Sequence, residues 1–389
     1  MADDFQFHVG YFDDLHFEPS INFQLNRWIN YLGASAIDDM RAIAPRLKDY
    51  PSYLVEFQKL AEKALSEGRI LPAAYYFRSA EFFMREDDPA KIPTRQKFLS
   101  ILWEQYKITP SNRIMIPYVD GTINGLLPAY VFLQDKPKDT IVIHGGFDSY
   151  IEESFPIFRY LHSAGYNLVC FEGPGQGGAL IDSKLLLTHD WHKPVKAILD
   201  YFELEDVTLL GISMGGCLAL RAAAFEPRVM RVVAYDIFYD WLETTLDKLE
   251  PIRPVIKFLL NIKAAGLFNR LMAEIMKKSP LFDWATRRAM LVLGVSSPYD
   301  VFEKSMRYTT RDVSSEIKQD VLLLAGAEDH IIPLNHFYIQ QNALINARSN
   351  TARLFTRAEH AQNHCQIGNL GLAINYIIDW IELTRQHEV

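Results

Sequence analysis

Only three cysteines, Cys170, Cys217 and Cys365, stand in a chain of 389 residues. They are too few and too scattered for a disulfide framework or a zinc knuckle, and a cytoplasmic protein with reduced thiols is the expectation. Runs of one charge sign are also missing. The 48 acidic and 40 basic side chains are spread along the chain to a net charge of -8, which offers no surface for nucleic acid or an anionic membrane. The most apolar stretch, IRPVIKFLLNIKAAGLF, is interrupted by Arg253, Lys257 and Lys263; it reads as a buried or amphipathic helix and not as a membrane span. The opening MADDFQFHVG lacks both a basic start and an apolar core, so no export is expected. What the chain does have is 49% hydrophobic residues. That content excludes a disordered protein, and the length allows a large core and two units.

The first hundred or so residues are helical in rhythm. YLVEFQKLAEKALSEG sets Leu54, Phe57, Leu60, Ala61, Ala64 and Leu65 at helical spacing and stops at Gly68, and LPAAYYFRSAEFFM continues in the same style. Such a pair resembles one tetratricopeptide unit, but no second copy follows at a fixed period, so a packed helical domain over 1–110 is expected. From 111 to 389 the pattern is α/β. RIMIPYVDGTINGLLPAYVFL reads as a hairpin turning at Asp120-Gly121. The runs TIVIHGG, YNLVCFEGPGQG, DVTLLGISMGG, RVVAYDIF and DVLLLAGAED then read as buried parallel strands with crossover helices, whose functional residues collect at the strands' carboxyl ends. The segment from about 237 to 315 is too long for a simple crossover and is expected to form a helical cap with aromatic and aliphatic walls over a pocket.

Gly211-Ile212-Ser213-Met214-Gly215 fits G-x-S-x-G between an apolar run and an alanine-rich one. In that strand, turn and helix context the serine is expected on a tight elbow as a nucleophile. A serine hydroxyl needs a base, and the base needs an acid to orient it. Asp329, three residues after Gly326, is the expected acid, with Glu328 and Asp236 as competitors. RAEHAQNHCQIGNL offers His360 and His364 as bases, and position alone does not separate them. Two histidines four apart could also ligate a metal, but H-E-x-x-H needs a glutamate where Ala361 stands. Neither a metal nor a cofactor is expected. His189, Asp190 and His192 in THDWH read as a surface helix start. Backbone donors for an oxyanion should come from Met214, after the nucleophile, and from Gly146 in HGGFDSYIEE, with Phe147 the neighbouring alternative.

HGGFDSYIEES, FEGPGQG, GISMGG, AFEPRV and NHCQIGNLGLA, spread over roughly residues 95 to 385, resemble the α/β-hydrolase superfamily. Within it they are similar to the branch that holds 2,6-dihydroxypseudooxynicotine hydrolase, the fungal polyketide-shortening pigment hydrolases and acylaminoacyl-peptidase-like bacterial hydrolases. The resemblance implies an α/β-hydrolase fold, a mostly parallel central sheet with helices on both faces, together with a helical amino-terminal domain. It implies a Ser213, His364, Asp329 triad, since the histidine of HCQ takes the family's catalytic place. Asp148 stands where a glutamate is expected, which detaches the chain from strict carbon-carbon cleavage. The expected function is thus a serine hydrolase of a small acyl, ester or keto compound. An exopeptidase acting on short peptides and a noncatalytic hydrolase-like binding protein are the alternatives. The expected partner is a small-molecule substrate, without nucleic acid or membrane, and a homodimer is left open.

Overall fold

The structure, a computed structural model, describes residues 6–148 and 150–386. Residues 1–5 of the opening segment, on which the reading about export partly rests, lie outside the described residues. The amino-terminal helices are α1 (Pro19–Leu32), α2 (Ile37–Ile43), α3 (Tyr50–Ser66), α4 (Ile70–Phe82) and α5 (Lys91–Gln105). In α3 the Asp49 side chain caps the Ser52 N–H and the Ser52 hydroxyl caps the Asp49 N–H, a reciprocal box that satisfies donors otherwise left bare at a helix start. Its Tyr53, Phe57, Leu60, Ala61 and Ala64 are buried, while Leu65 of the same spacing stays partly exposed. Helix α1 is buried on every side. It tolerates asparagines there because each has a partner: Asn22 and Asn26 donate to Phe12 O, and Asn30 accepts from the Gly368 N–H.

Eight strands follow: β1 (Arg113–Asp120), β2 (Ile123–Phe132), β3 (Thr140–His144), β4 (Asn167–Phe171), β5 (Val207–Ile212), β6 (Val229–Tyr235), β7 (Asp320–Gly326) and β8 (Ser349–Phe355). They form one sheet in the order β1-β2-β4-β3-β5-β6-β7-β8. The β1–β2 and β2–β4 pairs are antiparallel and the rest parallel. Asp120 pairs with Ile123 across the expected hairpin turn, where Gly121 adopts φ +60°. One buried cluster joins Trp28, Tyr75 and Phe98 of the amino-terminal helices to Tyr130, Ile143, Leu210 and Leu322 of the sheet. Chain segments 1–110 and 111–389 thus share a core on one sheet face. The other face packs on the helices His192–Tyr201 and Met214–Ala223 and on the insertion.

Between β6 and β7 lie the helices Trp241–Asp247, Arg253–Asn261, Ala265–Lys278, Pro280–Leu293 and Pro298–Ser305. The apolar stretch that reads as one helix is two, broken at Lys263, which takes φ +54°. This insertion touches the amino-terminal helices. The Trp284 ring stacks on Phe82 at 5.1 Å and its indole N–H donates to Phe82 O, while Arg288 pairs with Glu86 at 3.1 Å. No helix among the described residues is long and apolar enough to cross a membrane, and all three cysteines are free thiols.

Charged residues that look like surface positions in the sequence are buried together where α1 and α4 meet the segment after β3. Glu153 is fully buried and accepts from Arg27, from Arg78 Nε at 2.6 Å and from the Tyr150 N–H at 2.9 Å. Arg78 also pairs with Glu81, which takes Lys91 at 2.7 Å. Removing one partner from such a cluster leaves buried charge uncompensated. We expect Glu153→Ala to lose about 3–5 kcal/mol of stability in urea unfolding, and Glu274→Ala, at an exposed helical pair, to leave the transition unmoved.

Candidate active site

Ser213 is the single residue between the end of β5 and the helix Met214–Ala223, at φ +62° and ψ -126°. The turn is possible because its neighbours have no side chains. A Cβ on Gly211 would lie 2.0 Å from Gly215 O, and one on Gly215 would lie 2.6 Å from Gly145 O. The helix begins at Met214, directly after the serine, since these glycines serve close approach and do not break the helix. The Ser213 N–H donates to Tyr235 O at the end of β6, and Ser213 Oγ lies 2.8 Å from His364 Nε2.

His364 opens the short turn His364–Gln366 after β8, and its Nδ1 lies 2.6 Å from Asp329 Oδ2 in the loop after β7. Asp329 Oδ1 accepts the N–H groups of Ile331 and Ile332 at 2.7 and 3.0 Å. Burial pushes the Asp329 carboxyl up, but the His364 and His330 rings and these donors outweigh it and bring it down to about 2. Burial likewise pulls the His364 imidazole down, and the Asp329 charge with the hydrogen bonds that the ring donates to both acids overrides it, raising the ring well above its ordinary value. Of the competing acids, Glu328 turns outward to an exposed pair with Arg357 at the protein surface. Asp236 is buried, with Oδ2 3.2 Å from His364 Nδ1. His360 is exposed at φ +57° after the turn Arg357–Glu359. The chain between the two histidines is not helical, so they share no helical face. Asp236, His364 and Cys365 bring ligand atoms within 4.8 Å of one another, yet both ring nitrogens of His364 are already engaged by Ser213 and Asp329, a set suited to moving a proton.

The loop after β3 lies against the elbow. A Cβ on Gly146 would sit 2.8 Å from Ile212 O and 2.9 Å from Met214 N, so only glycine lets this backbone reach the first N–H of the helix, which has no intrahelical acceptor. Two residues hold the loop from below. Gln176 Nε2 donates to Gly145 O at 2.6 Å and to Gly146 O at 3.1 Å, and the Trp191 indole donates to His144 Nε2 at 3.1 Å. His144 is fully buried and its imidazole is lowered to about 4, so it is neutral and can accept that bond. From the amino-terminal helices Arg78 Nη2 donates to Asp148 O at 3.0 Å. These holders were not singled out from the sequence. GPGQG and THDWH marked the places of Gln176 and Trp191, and nothing marked Arg78. His189 pairs with Asp190 at 3.5 Å, but Asp190 also pairs with Lys193 at 3.2 Å and the His192 ring packs on Phe225.

Aromatic rings border the site. Phe147 meets Trp241 edge-on at 5.4 Å, and Phe23 of α1 lies 4.6 Å from the His330 ring and 6.3 Å from that of His364. A small void of about 10 Å³ lies beside Asp236 and Asp329, with room for about one water. We expect Gly146→Ala to unfold as the parent does but to react with a fluorophosphonate at least about a hundredfold more slowly, because the new methyl covers the Met214 N–H. Stopped labelling followed by intact mass measures this.

Residues 140–360, more than half of the chain, match the family described as alpha/beta hydrolase fold. Hydrolase acrC of Aspergillus aculeatus is 28% identical over 343 residues, which cover 76% of this chain and 79% of acrC. The 20-hydroxy-prefusarin hydrolase FUS2 of Gibberella moniliformis is 28% identical over 306 residues, covering 70% of each. Among solved structures, the 2,6-dihydroxy-pseudo-oxynicotine hydrolase superposes with a TM-score of 0.62 at 21% identity, covering 91% of this chain and 94% of its own. AbyA5 superposes with a TM-score of 0.63 at 18% identity, covering 88% of each. The sheet order, the elbow and this match together make the chain a hydrolase that belongs to the alpha/beta hydrolase fold family.

Proposed function

We propose that the protein is a serine hydrolase in which Ser213 is the nucleophile, His364 the base and Asp329 the acid. The observation that carries this reading is the unbroken row from Ser213 Oγ to His364 Nε2 at 2.8 Å and from His364 Nδ1 to Asp329 Oδ2 at 2.6 Å. His364 Nε2 takes the Ser213 proton as Oγ attacks a carbonyl carbon. The N–H groups of Met214 and Gly146 face the oxygen that becomes negative, and each such donor contributes about 3–4 kcal/mol to the transition state. The imidazolium then returns its proton to the leaving group. Water, deprotonated by the same nitrogen, releases the acyl group from Ser213.

The substrate is a small, largely apolar acyl, ester or keto compound. Phe23 from the amino-terminal helices and Trp241 from the insertion approach the strand ends from two sides, which supports a site for a small molecule over one for a folded chain. The relative FUS2 is named for one small molecule, 20-hydroxy-prefusarin, and this supports the same substrate class here. Short aryl esters are the first panel and β-diketones the second. Faster cleavage of casein than of every ester and ketone would overturn the assignment.

Three outcomes test the triad. A fluorophosphonate should add once, at Ser213, and not to Ser213→Ala. Turnover should fall by about three or more orders of magnitude in His364→Ala, as for other members of a catalytic unit, while His360→Ala keeps most of it. The base acts when neutral and its ring is raised above the ordinary 6.5, so activity should be lost as pH falls through that raised value. The acidic limb of kcat/KM is expected above pH 6.5, and Asp329→Asn should move it down.

A further inference from the structure

Gly145 and Gly146 present successive carbonyls to one side-chain nitrogen. Gln176 Nε2 lies 2.6 Å from Gly145 O and 3.1 Å from Gly146 O. The carbonyl of the same side chain accepts the Gly173 N–H at 3.0 Å, so the amide is fixed in one orientation with both donors toward the loop after β3. A peptide unit is planar and trans, and its N–H points away from its C=O. A donor that holds two neighbouring carbonyls from one side therefore turns the N–H groups of Gly146 and Phe147 away from itself. Successive N–H groups turned the same way make a concavity for an anion. Neither N–H has an acceptor among the described residues, and Gly146 is the residue whose Cβ would lie 2.9 Å from Met214 N.

The two carbonyls are not held alike. The Trp191 indole donates to His144 Nε2 at 3.1 Å, which leaves the proton of the neutral ring on Nδ1, 3.0 Å from Gly145 O. Gly145 O thus has two donors, and the peptide that carries the Gly146 N–H is fixed twice. Gly146 O has Gln176 alone among the described residues. The direction of the Phe147 N–H hangs on that one bond.

We propose that Gln176 is a positioning residue for a third oxyanion donor, the Phe147 N–H, which joins those of Met214 and Gly146. The inference rests on the reading of Ser213 as the nucleophile. Phe147 is anchored at its other end by the Trp241 ring at 5.4 Å, and Gln176 is 2% exposed, out of reach of bulk water. The turn that carries Gln176 is itself tied to the loop after β3. Glu172 Oε2 accepts the Gly178 N–H at 2.5 Å and Oε1 accepts the Ile151 N–H at 3.1 Å. A donor aimed in advance needs no reorganisation when charge develops, and it acts on the transition state more than on the bound substrate. Losing Gln176 should therefore lower kcat and leave KM alone.

Gln176→Met keeps the length of the side chain and removes both donors. Gln176→Glu keeps the acceptor for Gly173 and, whatever its ionisation, offers at most one donor, so it carries the test if the first variant does not fold. The readouts are kcat and KM for p-nitrophenyl acetate per site titrated with a fluorophosphonate, and inhibition by an aryl trifluoromethyl ketone, whose adduct with a serine carries the oxyanion. In Gln176→Met we expect kcat to fall about a hundredfold, as when an oxyanion donor is lost, with KM within about twofold and inhibition by the ketone weakened by a factor equal to the loss in kcat. Gln176→Glu should lose at least about tenfold in both. The acidic limb of the pH profile should stay at its parent position, since His364 is untouched. A Gln176 that only supports the fold would reduce the titrated sites and leave kcat per site and ketone inhibition at parent values; that result would overturn the third donor and leave the nucleophile standing. Ketone binding as tight to Ser213→Ala as to the parent would overturn the nucleophile reading, and the third donor with it.

Discussion

The site depends on holding one residue in a conformation that its own backbone resists. A non-glycine residue at φ +62° and ψ -126° costs about 1–3 kcal/mol and persists only where its surroundings over-determine it. Here they do so on three sides. The Ser213 N–H is taken by Tyr235 O of the neighbouring strand, glycines 211 and 215 remove the atoms that would open the turn, and the Gly145-Gly146 backbone packs against its outer side. The consequence is electrostatic. The first N–H of the following helix has no intrahelical acceptor, and with the positive end of the helix it forms the donor that the proposed mechanism assigns to a developing negative oxygen.

The amino-terminal helices belong to this arrangement in a way that a lid would not. Arg78 of α4 holds both Glu153 and the carbonyl of Asp148, at either end of the segment that follows Gly146. Arg27 of α1 reaches the same Glu153. Buried ion pairs add little net stability, since desolvation offsets the attraction, but they strongly disfavour arrangements in which a partner is misplaced. The cluster therefore specifies one position for the loop against the helices. Chain segments far apart in sequence are in this sense one structural unit with the elbow.

What was legible in the sequence follows from which interactions are local. Strands β3 to β7 are short apolar runs buried on both faces, and their period and glycine punctuation give them away. Strand β8, SNTARLF, is not an apolar run: it lies at the sheet edge, mostly half-buried, with Arg353 over the rings of Phe355 and Tyr376, so its pattern does not announce a buried strand. Ser213 and its glycines form a local pattern, as steric demands within five residues must. The choice between His360 and His364 is not local. It depends on which residue faces Ser213 across 151 positions of sequence, and position in the loop could not decide it. The charged cluster was hidden for the opposite reason. Arg27, Arg78, Glu81 and Glu153 carry the residue types of a solvated surface, and only tertiary packing buries them.

The groups of the site come from different strands, so their mutual distances are set by sheet register before any side chain chooses a rotamer. His144 pairs with Gly211, Ile212 with Tyr235, Tyr235 with Leu324 and Gly326 with Phe355. The carboxyl ends of β3, β5, β6, β7 and β8 are thereby drawn to one edge, where Gly146, Ser213, Asp236 and Asp329 follow their strands within three residues and His364 follows β8 by nine. Slipping one strand by a single residue would exchange its two faces and move the loop that follows it by about 3.3 Å along the strand, more than the whole Oγ to Nε2 distance of 2.8 Å. The hydrophobic clusters on the two sheet faces resist that slip, because it would turn the side chains of each strand toward the wrong core. The precision of the hydrogen-bonded row is in this way inherited from apolar packing, and the polar residues refine a geometry that the core has already set.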